Sequence, residues 1–117
     1  MKLYARMLKA RCPLDREALE KMIPVLQNET VPHAARGRGF REVYFFADHR
    51  GKEAGDVFSI TIYDGEEDLQ AAMSEAGSDY RFSTLARLGC HAVDAQALEV
   101  IAGAVNEAAP TARFTAD

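Results

Sequence analysis

Two apolar runs at residues 41–47 and 57–63 flank a short polar stretch, and an acidic run follows at once. That succession over residues 39–69 predicts a strand, a hairpin, a second strand and a helix. In the later run Phe58, Ile60 and Ile62 alternate with Ser59 and Thr61. One face of that strand is therefore expected to pack on helices and the other to meet something more polar. The earlier run differs, because Val43, Tyr44, Phe45 and Phe46 are apolar or aromatic on both faces. A strand of that kind needs cover on both sides.

The pattern extends in both directions. Residues 3–8 read as a first strand whose alternation Arg6 interrupts. Pro13 and Asp15 then supply helix-start signals. Leu19, Met22, Ile23 and Leu26 recur at i, i+3, i+4 and i+7, which is one apolar helical face. Pro24 lies inside that face and is expected to kink or shorten the helix near residues 20–23. Pro32, Gly37 and Gly39 make residues 28–39 a loop with at most one helical turn. His49, Arg50, Gly51 and Lys52 are expected to form the hairpin turn.

Asp64, with Glu66 and Glu67 behind it, predicts a helix start, with Leu69, Ala72, Met73 and Ala76 inward and a break at residues 77–79. Residues 80–88 are ambiguous, although Phe82, Leu85 and Leu88 have helical spacing. Asp94 is expected to cap a helix carrying Leu98, Ile101 and Val105, ended by Pro110 and followed by a short strand at 111–115. The resulting order, β-α-β-β-α-(α)-β, is that of a ferredoxin-like α+β fold: a four-stranded antiparallel sheet with helices on one face. Residues 1–117 read as a single domain. The other sheet face is bare in one copy, so the doubly apolar strand argues for sheet-to-sheet homodimerisation.

Composition narrows the classes. At 48% hydrophobic residues in 117, the chain can build an ordinary core. No apolar run reaches the roughly 20 residues that span a bilayer, and Met1 to Arg6 lead straight into a strand-like pattern, so the expectation is a cytoplasmic protein with no membrane partner. Residues 1–52 hold 11 Lys/Arg against 6 Asp/Glu, and residues 53–117 hold 3 against 12, leaving a net charge of −4. An acidic surface repels phosphate backbones and disfavours nucleic acid. Cys12 and Cys90 lack metal-like spacing and read as two reduced, semi-buried thiols. The three histidines share no close spacing, so no metal site is expected.

Gly39-Phe40 entering the second strand, the hairpin through Asp48 and Gly51, Tyr63 closing the third strand and the run from Asp64 to Leu69 together resemble the dimeric α/β-barrel superfamily, in its antibiotic-biosynthesis-monooxygenase-like branch. The resemblance covers residues 1 to 76. Members often carry tryptophan where Tyr63 stands, and the segment 77–93 is longer than the usual link. The resemblance implies a homodimer whose two sheets close a barrel, with a ligand cavity between helices and sheet in each subunit. It also implies, for some relatives, oxidation of aromatic polyketides or quinols without metal or flavin, the substrate anion itself reducing oxygen. Haem degradation, which other relatives perform, is disfavoured because the Asn, Trp and His set they use is not found here.

The residues themselves offer candidates. A mid-strand Arg6 must be paired if buried, either to an anionic ligand or in a salt bridge of the dimer barrel. His33 stands in a basic, glycine-punctuated loop with Arg36, Arg38 and Arg41, where it can serve as a general base and Arg41 can contact substrate. Tyr4, Tyr44, Phe46 and Tyr63 are candidates for an aromatic cavity wall, though strand aromatics also serve as core or interface. The leading expectation is a homodimer that binds a small aromatic molecule, with cofactor-independent monooxygenase chemistry, His33 and Arg6 catalytic, and no cofactor. The alternatives are a non-enzymatic ligand-binding module and a pure dimerisation module.

Overall fold

In the computed structural model, residues 2–48 and 53–104 are described, except the side chains of 75–79 and 82. The chain runs β1 (Leu3–Pro13), α1 (Arg16–Val25), a π-helical turn (Leu26–Thr30), α2 (Val31–Ala35), β2 (Phe40–Ala47), β3 (Ala54–Tyr63), α3 (Glu66–Ala72), α4 (Glu75–Arg87) and β4 (His91–Val100). The four strands form one antiparallel sheet in the order β2-β3-β1-β4. This is the ferredoxin-like α+β arrangement, with the helices on one face.

The register decides which residues meet the helices. Arg6 pairs with Thr61, Leu8 with Ser59 and Ala10 with Val57 across β1 and β3, while Val43 and Phe45 of β2 oppose Thr61 and Ser59. These share the helix-covered face. Phe58, Ile60 and Ile62 fall on the open face, opposite Phe46, Tyr44 and Glu42. The more polar side of β3 is thus the one that packs on helices, where Ser59 and Thr61 are buried. Arg6 does not break the alternation of β1. It stands in phase with buried Leu8, Ala10 and Cys12.

The helix layer covers one end of the sheet tightly. Ala10, Cys12, Leu14, Met22, Val57, Leu88 and Cys90 form the buried cluster, with Leu19, Val25 and Leu26 packed against it. Asp15 caps α1 as its residue type predicts, its Oδ1 accepting from the Ala18 N–H at 2.9 Å. Pro24 does not end the helical path. Its missing N–H affects one carbonyl, and the chain then widens into the π-helical turn, where the Val31 N–H donates to the Leu26 carbonyl five residues back. Residues 28–35 are therefore helical, not a loop. Pro32 is tolerated because it sits in the first turn of α2.

Four other expectations are corrected. Gly65, rather than Asp64, is the N-cap of α3. The helical break falls at Met73 and Ser74 rather than at 77–79, so α4 absorbs the ambiguous segment. Residues 91–100, including Asp94 and Leu98, form β4 instead of a helix, paired to β1 from Leu3↔Val100 to Arg11↔His91 with a bulge near Lys9. Ala, Leu, Gln and Glu favour a helix in isolation, but the open edge of β1 offers a ladder of main-chain bonds that outweighs that preference. The fourth strand is this one; the strand expected at 111–115, with Val105, Pro110 and the turn at 49–52, lies outside the described residues. Finally, Cys12 and Cys90 are bonded as a disulfide between the end of β1 and the residue before β4, rather than standing as separate thiols. Facing positions at the end of an antiparallel ladder bring their Cα atoms to 4.3 Å. No described helix is long and apolar enough to cross a membrane.

Candidate functional site

At the opposite end of β1 from the disulfide, the helix layer stands off the sheet and leaves a cavity of about 280 Å³. Its floor is sheet: Arg6 from β1, Val43 and Phe45 from β2, and Tyr63 from β3. Its walls are Thr30 and His33 from the π-helical turn and α2, Asp68 and Ala72 from α3, and Tyr80 and Arg81 from α4. The space exists because small residues, Ala34, Gly37, Ala71 and Ala72, line the helical side where larger ones would fill it.

Arg6 is 8% exposed. Its Nη2 donates to Thr61 Oγ1 at 3.3 Å, and Thr61 is fully buried. The Arg6 Nε and Nη1 atoms are buried without a hydrogen-bond partner. Arg81 reaches the same cavity, and its Nη1 donates to the Ala72 carbonyl at 2.9 Å. Burial, followed by the nearby charge of Arg6, lowers the Arg81 pKa from its ordinary value, while Tyr63 pulls it the other way. Tyr63 itself is 5% exposed.

The mouth is built from the chain between α2 and β2. His33 is exposed, and its ring stacks on Tyr80 at 3.6 Å between centroids with 9° between planes. Arg38 Nε pairs with Asp68 Oδ1 at 3.0 Å, joining this connection to α3. The approach requires Gly39, whose φ is +70° and whose missing side chain leaves room for the Asp68 carboxylate. Asp64 N–H donates to the Gly39 carbonyl at 2.8 Å and closes the corner. Behind the mouth, Arg87 of α4 holds Glu29 of the π-helical turn through two bonds of 3.0 and 3.1 Å, which lowers the Glu29 pKa.

Of the residues singled out from sequence, Arg6, His33 and Tyr63 line one cavity. The other four stand elsewhere. Tyr44 and Phe46 occupy the open face of the sheet, their rings 6.4 Å apart and tilted, because they oppose Ile60 and Phe58 on that face. Arg41 is outside the lining and pairs with Asp64 at 2.9 Å. Tyr4 opposes Tyr63 in the register but does not line the cavity. Arg81, Tyr80 and Asp68 are lining residues that periodicity did not single out; the helical spacing around residue 80 was the one signal available for the first two. Among the described residues, no group of three or more His, Cys, Asp or Glu is placed to hold a metal.

In sequence, no protein family and no curated protein matches this chain. Solved structures do match in fold. A dimeric ferredoxin-like protein from an uncultured marine organism superposes with a TM-score of 0.63 at 12% identity, covering 89% of this chain and 100% of that one. SnoaB, a cofactor-independent oxygenase from Streptomyces nogalater, superposes at 0.57 with 12% identity over 92% and 99% of the two chains. A monooxygenase from the gene ActVA-Orf6 of Streptomyces coelicolor, in complex with the ligand Nanaomycin D, superposes at 0.54 with 13% identity over 89% and 93%. The chain therefore shares the ferredoxin-like fold of dimeric and antibiotic-biosynthesis-monooxygenase-like proteins.

Proposed function

We propose that the protein binds a small, flat, largely apolar molecule in the cavity between helices and sheet, and that it oxygenates an electron-rich phenol or anthrone there without a cofactor. The observation that carries this reading is the convergence of a buried guanidinium, an imidazole and a buried phenol on one cavity of about 280 Å³. The fold shared with a cofactor-independent oxygenase supports it.

In this reading His33 takes a proton from the substrate's ring methylene or hydroxyl, and Arg6 holds the resulting oxyanion. The carbanionic carbon adds to dioxygen, forming a carbon–oxygen bond and a peroxide anion. His33 returns the proton to the distal oxygen. Cleavage of the O–O bond with loss of the second methylene hydrogen releases water and leaves a carbonyl. One oxygen atom enters the product and the other leaves as water, so four electrons pass from substrate to dioxygen and no further reductant is needed.

Oxygen uptake with a panel of hydroquinones and anthrones tests the reading. The expected result is turnover that falls by about 10²-fold or more in His33→Ala. No turnover above background, or undiminished turnover in the variant, overturns the enzymatic reading. The stacking of His33 on Tyr80 favours one alternative, a ligand-binding protein in which the imidazole is simply part of the wall.

We also propose that the working unit is a homodimer. Tyr44, Phe58, Ile60 and Ile62 stand on the sheet face that no described helix covers, with Phe46 and Leu98 beside them at 51% and 42% exposure. A second copy is the partner whose own apolar sheet matches that face.

A further inference from the structure

Beside the cavity lies a second and smaller void, of about 40 Å³, under the tightly covered end of the sheet. The register places the two side by side. Phe45 and Leu8 both oppose Ser59, and these three form one row across the helix-covered face. Val43, Thr61 and Arg6 form the next row, one two-residue step of about 7 Å along the strands. Phe45 borders both spaces. The smaller one is therefore one row of side chains from the guanidinium that holds the oxyanion in the proposed reaction.

The chemistry of its wall decides what can occupy it. Leu8, Ala10, Met22, Val57 and Leu85 surround it with apolar surface, and all its described lining residues are buried or half-buried. Among them only Ser59 brings a side-chain nitrogen or oxygen. The Ser59 Oγ is buried without a hydrogen-bond partner. Such a hydroxyl is disfavoured against an apolar side chain of similar shape. Size does not exclude water, which needs roughly 10–15 Å³. Polarity does, because a buried water is held by about two to four polar partners and one hydroxyl is too few. Apolar voids stay dry and take up apolar guests such as xenon. The space is far below the ~150 Å³ that admits a benzene ring, so its guest has only a few heavy atoms.

We infer that this chamber is a binding site for dioxygen, an apolar diatomic held beside Phe45 until the carbanion forms in the larger cavity. Its use rests on the oxygenase reading proposed above; its occupancy does not.

Dioxygen is paramagnetic, so its place in the full chain is read from methyl relaxation under oxygen pressure against nitrogen. At Leu8, Met22, Val57 and Leu85 the oxygen-induced rate is expected to be about threefold or more that at Leu14 and Leu69, which are buried but line neither space. Ser59→Val fills the chamber and removes the unpaired hydroxyl, so it is expected to fold and to abolish that excess. In oxygen uptake the same variant is expected to raise the KM for dioxygen about threefold or more, the change falling on KM and not on kcat. If Ser59→Val fails to fold, Val57→Ile, which adds one methyl group to the same space, decides. No excess in the wild type, an excess that persists in the folded variant, or a KM for dioxygen unmoved where the excess is lost overturns the inference. The two readings fail separately. An excess without turnover of any phenol or anthrone sinks the oxygenase reading and leaves the dioxygen site, and turnover without an excess does the reverse.

Discussion

Gly39 shows how one residue holds the site's mouth in shape. Its φ of +70° is strained for any side chain, and a Cβ there would strike the Asp68 carboxylate. Gly39→Ala is expected to cost about 1–3 kcal/mol in urea unfolding, and to raise the salt sensitivity of ligand binding as Arg38 and Asp68 part. Thr61 plays a related part on the floor. Thr61→Val removes the hydroxyl that accepts from buried Arg6, with an expected loss of about 1–3 kcal/mol by the same measurement. Arg6 was legible in the sequence as a charge in a strand, because a mid-strand guanidinium demands a partner. Arg81 was not, since a single arginine in a weakly amphipathic stretch looks like any solvated helix residue until α4 is laid over the sheet.

Among the elements, β4 is where local preference and fold disagree. Its composition favours a helix, and only the unfilled edge of β1, far away in sequence, turns it into a strand. The first three strands were readable because their apolar and aromatic positions already repeat with period two. The helical path through residues 16–35 was obscured by two prolines: Pro24 inside α1, after which the path continues as the π-helical turn, and Pro32 in the first turn of α2. The Cys12–Cys90 bond ties β4 to β1 and closes a loop with a separation of 78 residues. Its reduction is expected to cost about 3–4 kcal/mol, read as a lower urea midpoint with dithiothreitol than without. Both cysteines are buried, so the native protein should take up no iodoacetamide, and the reduced, unfolded chain two equivalents. The Glu29–Arg87 bridge adds a tie between the helices. The folded pKa of Glu29 is depressed, so the stabilisation is present above its unfolded pKa and is lost as pH falls through the folded one.

At the scale of the molecule, the sheet has two unlike sides. One carries buried Ser59, Thr61 and Arg6 beneath the helices, and the other carries Phe58, Ile60 and Ile62 with no described helix over them. Light scattering is expected to give twice the 12.9 kDa of one chain at micromolar concentration. Ile60→Glu should shift it towards the single-chain mass by setting a carboxylate in the dry interface. A wild-type chain that remains single would remove the homodimer.

The two sides have a consequence for how such a pair fills with guests. The cavity opens among the helices, on the far side of the sheet from the apolar face proposed to meet a second copy. In the proposed homodimer each guest would be screened from the other by two thicknesses of pleated backbone. Saturation should therefore follow a plain hyperbola, one guest per chain, with a Hill coefficient of about 1.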